Sequence, residues 1–178
     1  MPNPLSAFLL TLTTLLAATQ ASAQSAGTET APAGDEAATT AALDPVGDPV
    51  GAWNQDPSII LDAAEVDINA FVWRARPIVV FADSPLDPAF NTQIDLLLAG
   101  LDDLIERDIV MITDTNPTAM SDLRTQLRPR GFMMVLIGKD GGVKQRKPFP
   151  WSMREIGRTI DKMPMRQREI IERRATNG

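Results

Sequence analysis

Three runs of consecutive apolar residues constrain this chain more than anything else in it: Pro77-Ile-Val-Val-Phe-Ala82, Ile109-Val-Met-Ile-Thr113 and Phe132-Met-Met-Val-Leu-Ile137. A strand with one wet face alternates apolar and polar residues, whereas a strand that is apolar throughout is covered on both faces. Such strands need layers on either side of one sheet, and the connecting segments supply them. Between the first two runs, Phe90, Ile94, Leu97, Leu98, Leu101, Leu104 and Ile105 recur three, four or one apart, the spacing of an amphipathic helix. Asp87-Pro88 opens that segment with an N-cap and a proline at the first helical position. Asn116-Pro117 repeats the device and predicts a second helix with Met120, Leu123 and Leu127 on its apolar side. The succession of strand, helix, strand, helix, strand demands crossovers, hence at least partly parallel pairing with helices on the sheet faces.

After the third run the pattern changes. Gly138-Lys-Asp-Gly-Gly142 is a turn cluster leading into Val143-Lys-Gln-Arg-Lys147, whose polarity suits an edge strand in a hairpin. Ser152 and Glu155 form a capping box before a helix whose apolar face is Met153, Ile156, Ile160 and Met163; Pro164 ends or kinks it, and Met165 starts another. Upstream, Ile59-Ile-Leu61 reads as a short strand and residues 63–73 as a helix.

The N-terminus carries a short apolar run, Leu5 to Ala18, followed by Ala21-Ser22-Ala23, a small-x-small cleavage signature. Residues 1–23 are expected to be a signal peptide cleaved after Ala23, and the protein periplasmic or secreted. The run is shorter than the ~20 residues a bilayer requires, so no transmembrane segment is expected after cleavage. Residues 24–57 are dominated by Ala, Thr, Gly, Pro, Asp and Glu and are expected to be a disordered acidic linker. One domain then spans 58–174, with a disordered tail at 175–178.

The chain contains neither cysteine nor histidine. None of its residues can supply a thiolate nucleophile, a CxxC redox pair, a Cys/His zinc site or a Ser-His-Asp triad. No cofactor is expected.

Several segments resemble one family: Trp73-Arg-Ala-Arg76 before Ile78-Val-Val-Phe-Ala82, then Glu106-Arg-Asp108, Gly131-Phe-Met-Met-Val-Leu-Ile-Gly-Lys-Asp-Gly-Gly-Val-Lys144, and Asp161-Lys-Met-Pro-Met-Arg166. Together they look like the bacterial domain of unknown function numbered 4174, itself similar to peroxiredoxin-like domains of animal extracellular proteins, including sushi-repeat proteins. The resemblance implies an α/β, thioredoxin-like three-layer fold: a mixed central sheet of about four to five strands with helices on both faces. It implies no chemistry. In catalytic thioredoxins the redox pair follows the first central strand, and the corresponding slot here is Pro85-Leu-Asp-Pro88. The position of the substrate-binding cis-proline reads Arg130-Gly131.

Candidate site residues follow from place and charge. Asp83 and Asp87, with Ser84 between them, lie at the carboxyl end of a parallel strand, where open α/β sheets bind ligands. They can serve as an acid/base pair or hold Ca²⁺; a helix cap plus a turn accounts for both residues with no ligand. Asp102 and Asp103 read as a solvated helix face. From residue 24 to 123 there are eighteen acidic residues against Arg74, Arg76 and Arg107; from 124 to 178 there are fourteen basic against five acidic. Arg124, Arg128, Arg130, Lys144, Arg146, Lys147, Arg166 and Arg168, joined by Arg173 and Arg174, form a basic half. It can engage an anionic envelope component, or be neutralised by the chain's own acidic half. Nucleic acid is not expected, since that half lacks interleaved aromatics. Three functions remain open: a non-catalytic binding or accessory domain for an unknown protein, a cysteine-independent enzyme using Asp83 and Asp87, and electrostatic attachment to the envelope surface.

Overall fold

The computed structural model describes residues 47–176 and residue 178. The expected signal peptide and the expected linker up to residue 46 lie outside them. Five strands form one sheet: β1 (Ile60–Asp62), β2 (Arg76–Phe81), β3 (Ile109–Asp114), β4 (Met133–Ile137) and β5 (Val143–Lys147), in the order β1-β3-β2-β4-β5. β1 and β2 both pair with β3 in parallel, while β4 runs antiparallel to β2 and β5 antiparallel to β4. The unbroken apolar runs divide between two cores, as pleating requires. Val79, Phe81, Val110, Ile112, Val135 and Ile137 face one side. Ile78, Val80, Ile109, Met111, Met134 and Leu136 face the other.

The first face is covered by α1 (Pro49–Gln55), a 3₁₀ turn (Ile68–Phe71) and α4 (Asp122–Leu127). The second is covered by α2 (Pro88–Leu98), α3 (Leu101–Glu106) and α5 (Met153–Asp161). α6 (Pro164–Thr176) follows at Pro164, where the sequence predicts a break. The fold is thioredoxin-like: three layers around a mixed sheet, within the expected strand number.

Five local expectations are corrected. The linker does not extend to residue 57, because α1 occupies residues 49–55. It is capped by the Asp48 carboxylate, which accepts from Val50 N at 3.1 Å. Val50 is buried, Trp53 donates Nε1 to the Ile109 carbonyl at 3.2 Å, and its ring meets Phe71 edge-on at 6.3 Å. Two large apolar residues three apart, together with Pro at N1, outweigh a polar composition. At the other end, α6 runs past residue 174, Thr176 Oγ1 donating to the Glu172 carbonyl at 3.0 Å.

The predicted helix over 63–73 reduces to the single 3₁₀ turn capped by Asp67. Asn116-Pro117 starts only the 3₁₀ turn Pro117–Ala119; α4 begins at Ser121, whose hydroxyl accepts from Arg124 N at 3.0 Å. Met120 lies between them in the left-handed region, φ 48°, and is 63% exposed instead of lining the core. The long apolar segment after Asp87 is two helices. Gly100 stands at the break, where a Cβ would lie 2.7 Å from Met153 Cβ, so only glycine lets α5 approach this closely.

Candidate functional site

The sheet register gathers four loops at one end. Phe81 is level with Asp114 on β3 and with Met133 on β4, and Met134 is level with Lys147 on β5. The loop after β2, the loop after β3, the loop entering β4 and the loop leaving β5 therefore share the carboxyl end of the parallel strands, the ligand-binding end of open α/β sheets.

Asp83, Ser84 and Asp87 all sit there, and most of their polar atoms serve the backbone. Asp87 is the N-cap of α2, accepting from Ala89 N at 2.7 Å and Phe90 N at 3.2 Å. The Ser84 hydroxyl accepts from Leu86 N at 3.1 Å, and its carbonyl accepts from Asp87 N at 3.2 Å. Asp83 is exposed, and its Oδ1 lies 3.5 Å from Arg124 Nη1. The two aspartates thus have different partners: one holds a helix end, the other faces a cation.

That cation is the centre of the end. Arg124 is 8% exposed. Its Nη2 donates to Asp114 Oδ1 at 2.8 Å, to the Ala82 carbonyl at 2.8 Å and to the Asp114 carbonyl at 3.0 Å, while Nε bridges both Asp114 carboxylate oxygens at 3.2 Å. Ser121 donates to Asp114 Oδ2 at 2.6 Å, and the guanidinium carbon stands 5.5 Å from the Phe81 ring centre. Burial pushes the Asp114 carboxyl up, but the Arg124 and Ser121 bonds outweigh it and hold the group below its ordinary value. Asp114 and Ser121 are not picked out by the sequence alone. The available signal is a carboxylate closing an otherwise apolar run, seven residues before a serine and ten before an arginine.

A third residue that the sequence does not single out fixes the loop leaving β5. Gln93, fully buried on α2, clasps the Trp151 backbone in both directions, donating Nε2 to its carbonyl at 3.0 Å and accepting from its amide at 2.8 Å. Lys147 lies over the Trp151 ring at 4.3 Å and near the Phe149 ring at 5.9 Å. Leu86, Met120 and Phe149 rise from three of the four loops, 84%, 63% and 55% exposed.

The basic half does not form one patch. Arg124 is consumed by Asp114; Lys144 pairs with Asp140 at 2.5 Å, and Arg146 Nη1 donates to the Leu127 carbonyl at the end of α4. Arg166, 1% exposed, belongs to an ion network at the opposite end of the sheet, with Glu106, Asp161 and Glu169. Arg173 joins the same network through Asp108. Arg128 and Arg130 are exposed in the loop entering β4, and Arg168 is exposed on α6. Asp102 and Asp103, read from the sequence as a solvated helix face, lie in the first turn of α3, with Asp103 bonded to Arg107 at 2.7 Å.

Residues 67–169 match the model of a family described as a domain of unknown function, DUF4174. A relative in Danio rerio, coiled-coil domain-containing protein 80, is 29% identical over 133 residues, and the match covers 58% of this chain. The chain spans only 15% of that relative's length. Among solved structures, the reduced 2-Cys peroxiredoxin of Plasmodium vivax superposes with a TM-score of 0.47 at 14% identity, covering 58% of this chain and 85% of the other. A chloroplastic thioredoxin z superposes with a TM-score of 0.43 at 19% identity, covering 58% and 92%.

Proposed function

The chain belongs to the DUF4174 family, and from that premise we propose that it is an exported, non-catalytic binding domain whose protein partner docks on the loops at the carboxyl end of the sheet. The observation that carries this reading is the contrast within those loops. The slot that holds redox cysteines in catalytic thioredoxins reads Pro85-Leu-Asp-Pro88, and its polar atoms are spent on a turn and a helix cap. Beside that chemically quiet backbone, Leu86, Met120 and Phe149 present apolar side chains to solvent. Exposed apolar side chains concentrated on loops held by a rigid scaffold suit protein recognition. Gln93 and the Asp114–Arg124 pair supply the rigidity, fixing two of the loops from beneath.

Export is part of the proposal. It rests on the apolar run Leu5 to Ala18 and the Ala21-Ser22-Ala23 signature. Cell fractionation with N-terminal sequencing tests it: a mature chain beginning at Gln24 outside the cytoplasm is expected, and an intact Met1 terminus in the cytoplasm refutes it.

The docking face is tested by placing a photocrosslinking residue at Leu86, Met120 or Phe149 in intact cells, with Ile171 on α6, 64% exposed, as the control. The same adduct from the three loop positions and none from Ile171 is expected. Adducts from Ile171 alone, or from no position, overturn the reading.

A further inference from the structure

α6 is fastened to the domain by charge instead of apolar burial. Of its thirteen residues the fully buried one is Arg166; Met165 and Ile170 are half-buried, outside both apolar cores, and Ile171 stands exposed. Arg166 Nη2 donates to Glu106 Oε1 on α3 at 2.8 Å, and its Nε, 3.5 Å from Asp161 Oδ1 on α5, makes no hydrogen bond among the described residues. Glu169 Oε1 accepts from Arg76 Nη2 on β2 at 2.8 Å and lies 3.1 Å from Lys139 Nζ in the hairpin turn. Arg173 donates to the Glu106 carbonyl at 3.1 Å and stands 3.5 Å from Asp108 Oδ2. These fastenings join charges on α6 to groups on β2, α3, the approach to β3, the hairpin turn and α5, Glu106 of α3 taking two of them.

Two physical facts make such a helix separable. A peptide of this length is marginal as a helix in water once its packing is gone. Elements with few buried apolar contacts also sit at the low end of a protein's range of local opening free energies. Glu169 is the residue on which α6 depends most, because it alone meets the central strand. Burial pushes its carboxyl up, while Arg76 and Lys139 outweigh burial and hold it below its ordinary value. Arg76 is 1% exposed beneath it, also donating Nη1 to the Arg107 carbonyl at 2.8 Å.

We propose that α6 is a strap, held across the amino end of the sheet by Glu169 on Arg76 and Lys139, which detaches as a unit while the five strands remain folded. It lies at the end of the molecule opposite the proposed docking loops and does not depend on them.

Hydrogen–deuterium exchange of the full chain at neutral pH tests this, comparing the wild type with Glu169→Gln and with Glu172→Gln, an exposed glutamate on the same helix. In Glu169→Gln the amides of residues 164–176 are expected to exchange about tenfold faster or more, with β2, β3 and β4 unchanged and Glu172→Gln like the wild type. Exchange of α6 that stays unchanged in Glu169→Gln, or rises only together with the strands, overturns the strap. Should Glu169→Gln fail to fold, Lys139→Met, which removes the more exposed of the two cations that Glu169 meets, is compared with the wild type instead. Faster exchange confined to α6 supports the strap, and exchange of α6 that is unchanged or rises only together with the strands overturns it.

Discussion

Arg124 Nη2 meets Asp114 Oδ1 at 2.8 Å, and through that one contact α4 is tied to the carboxyl end of β3. The arginine's other bonds run to the Ala82 carbonyl just past β2 and to the Asp114 carbonyl, which also accepts from Ala82 N at 2.9 Å, so one side chain draws the ends of both strands together.

Breaking one side of this pair is expected to be costly. Arg124→Met leaves a 5% exposed carboxylate without its cation, a loss of about 3 kcal/mol in unfolding free energy measured by denaturant titration. Asp114→Asn combined with Arg124→Met removes both charges and is expected to cost less than the sum of the single changes.

The same pair sets an acid limit. Because the folded Asp114 carboxyl is held below its ordinary value of 3.8, its contribution is fully present above that value and is lost as pH falls through the lower folded value. Glu169 behaves likewise from its ordinary 4.5. Unfolding free energy is expected to be flat with respect to these two groups near neutrality and to drop below about pH 4; Asp114→Asn, measured across the same pH series, flattens part of that drop.

Gln93→Leu preserves the size and burial of the side chain but abolishes both bonds to the Trp151 backbone, leaving an amide and a carbonyl unsatisfied. A loss of about 2–3 kcal/mol is expected. Thermal unfolding followed by tryptophan emission checks it.

Asp87 separates a cap from a catalyst. Asp87→Asn keeps an N-cap of equal quality and is expected to leave stability within about 0.5 kcal/mol, whereas Asp87→Ala loses about 1 kcal/mol. An activity abolished by Asp87→Asn with stability intact would instead favour an acid/base role for this residue.

Leu86→Asp places a charge on a side chain that is 84% exposed, so stability is expected to stay within about 0.5 kcal/mol of the wild type. Crosslinking from Met120 to the docking partner is expected to be lost in the same variant. Unimpaired crosslinking would remove Leu86 from the docking face.

The core and the order of elements are legible in the sequence because they rest on periodicity. The runs at 77–82, 109–113 and 132–137 became β2, β3 and β4, and the Asp87-Pro88 and Ser152/Glu155 signals mark real helix starts. What stayed hidden depends on contacts distant along the chain. Trp53 draws α1 out of a stretch of linker composition because Phe71 and the Ile109 carbonyl are waiting for it. Met120 reads as apolar helix face until Ser121 takes over as the cap. Arg124 and Arg166 read as surface charge because a sequence does not show that Asp114, Glu106, Asp161 and Glu169 converge on them. The charge asymmetry along the chain was plain, whereas its dispersal into separate pairs needed three dimensions.

The two margins of the sheet decide how this molecule can meet a copy of itself. β1 offers only three residues along one flank, and β5 lines the other with Lys144, Arg146 and Lys147. Neither flank is a usable template: the first is too short to seat an incoming strand, and the second brings like charges against an identical neighbour. Among the described residues, then, neither margin of the folded sheet offers a ready template for edge-to-edge growth.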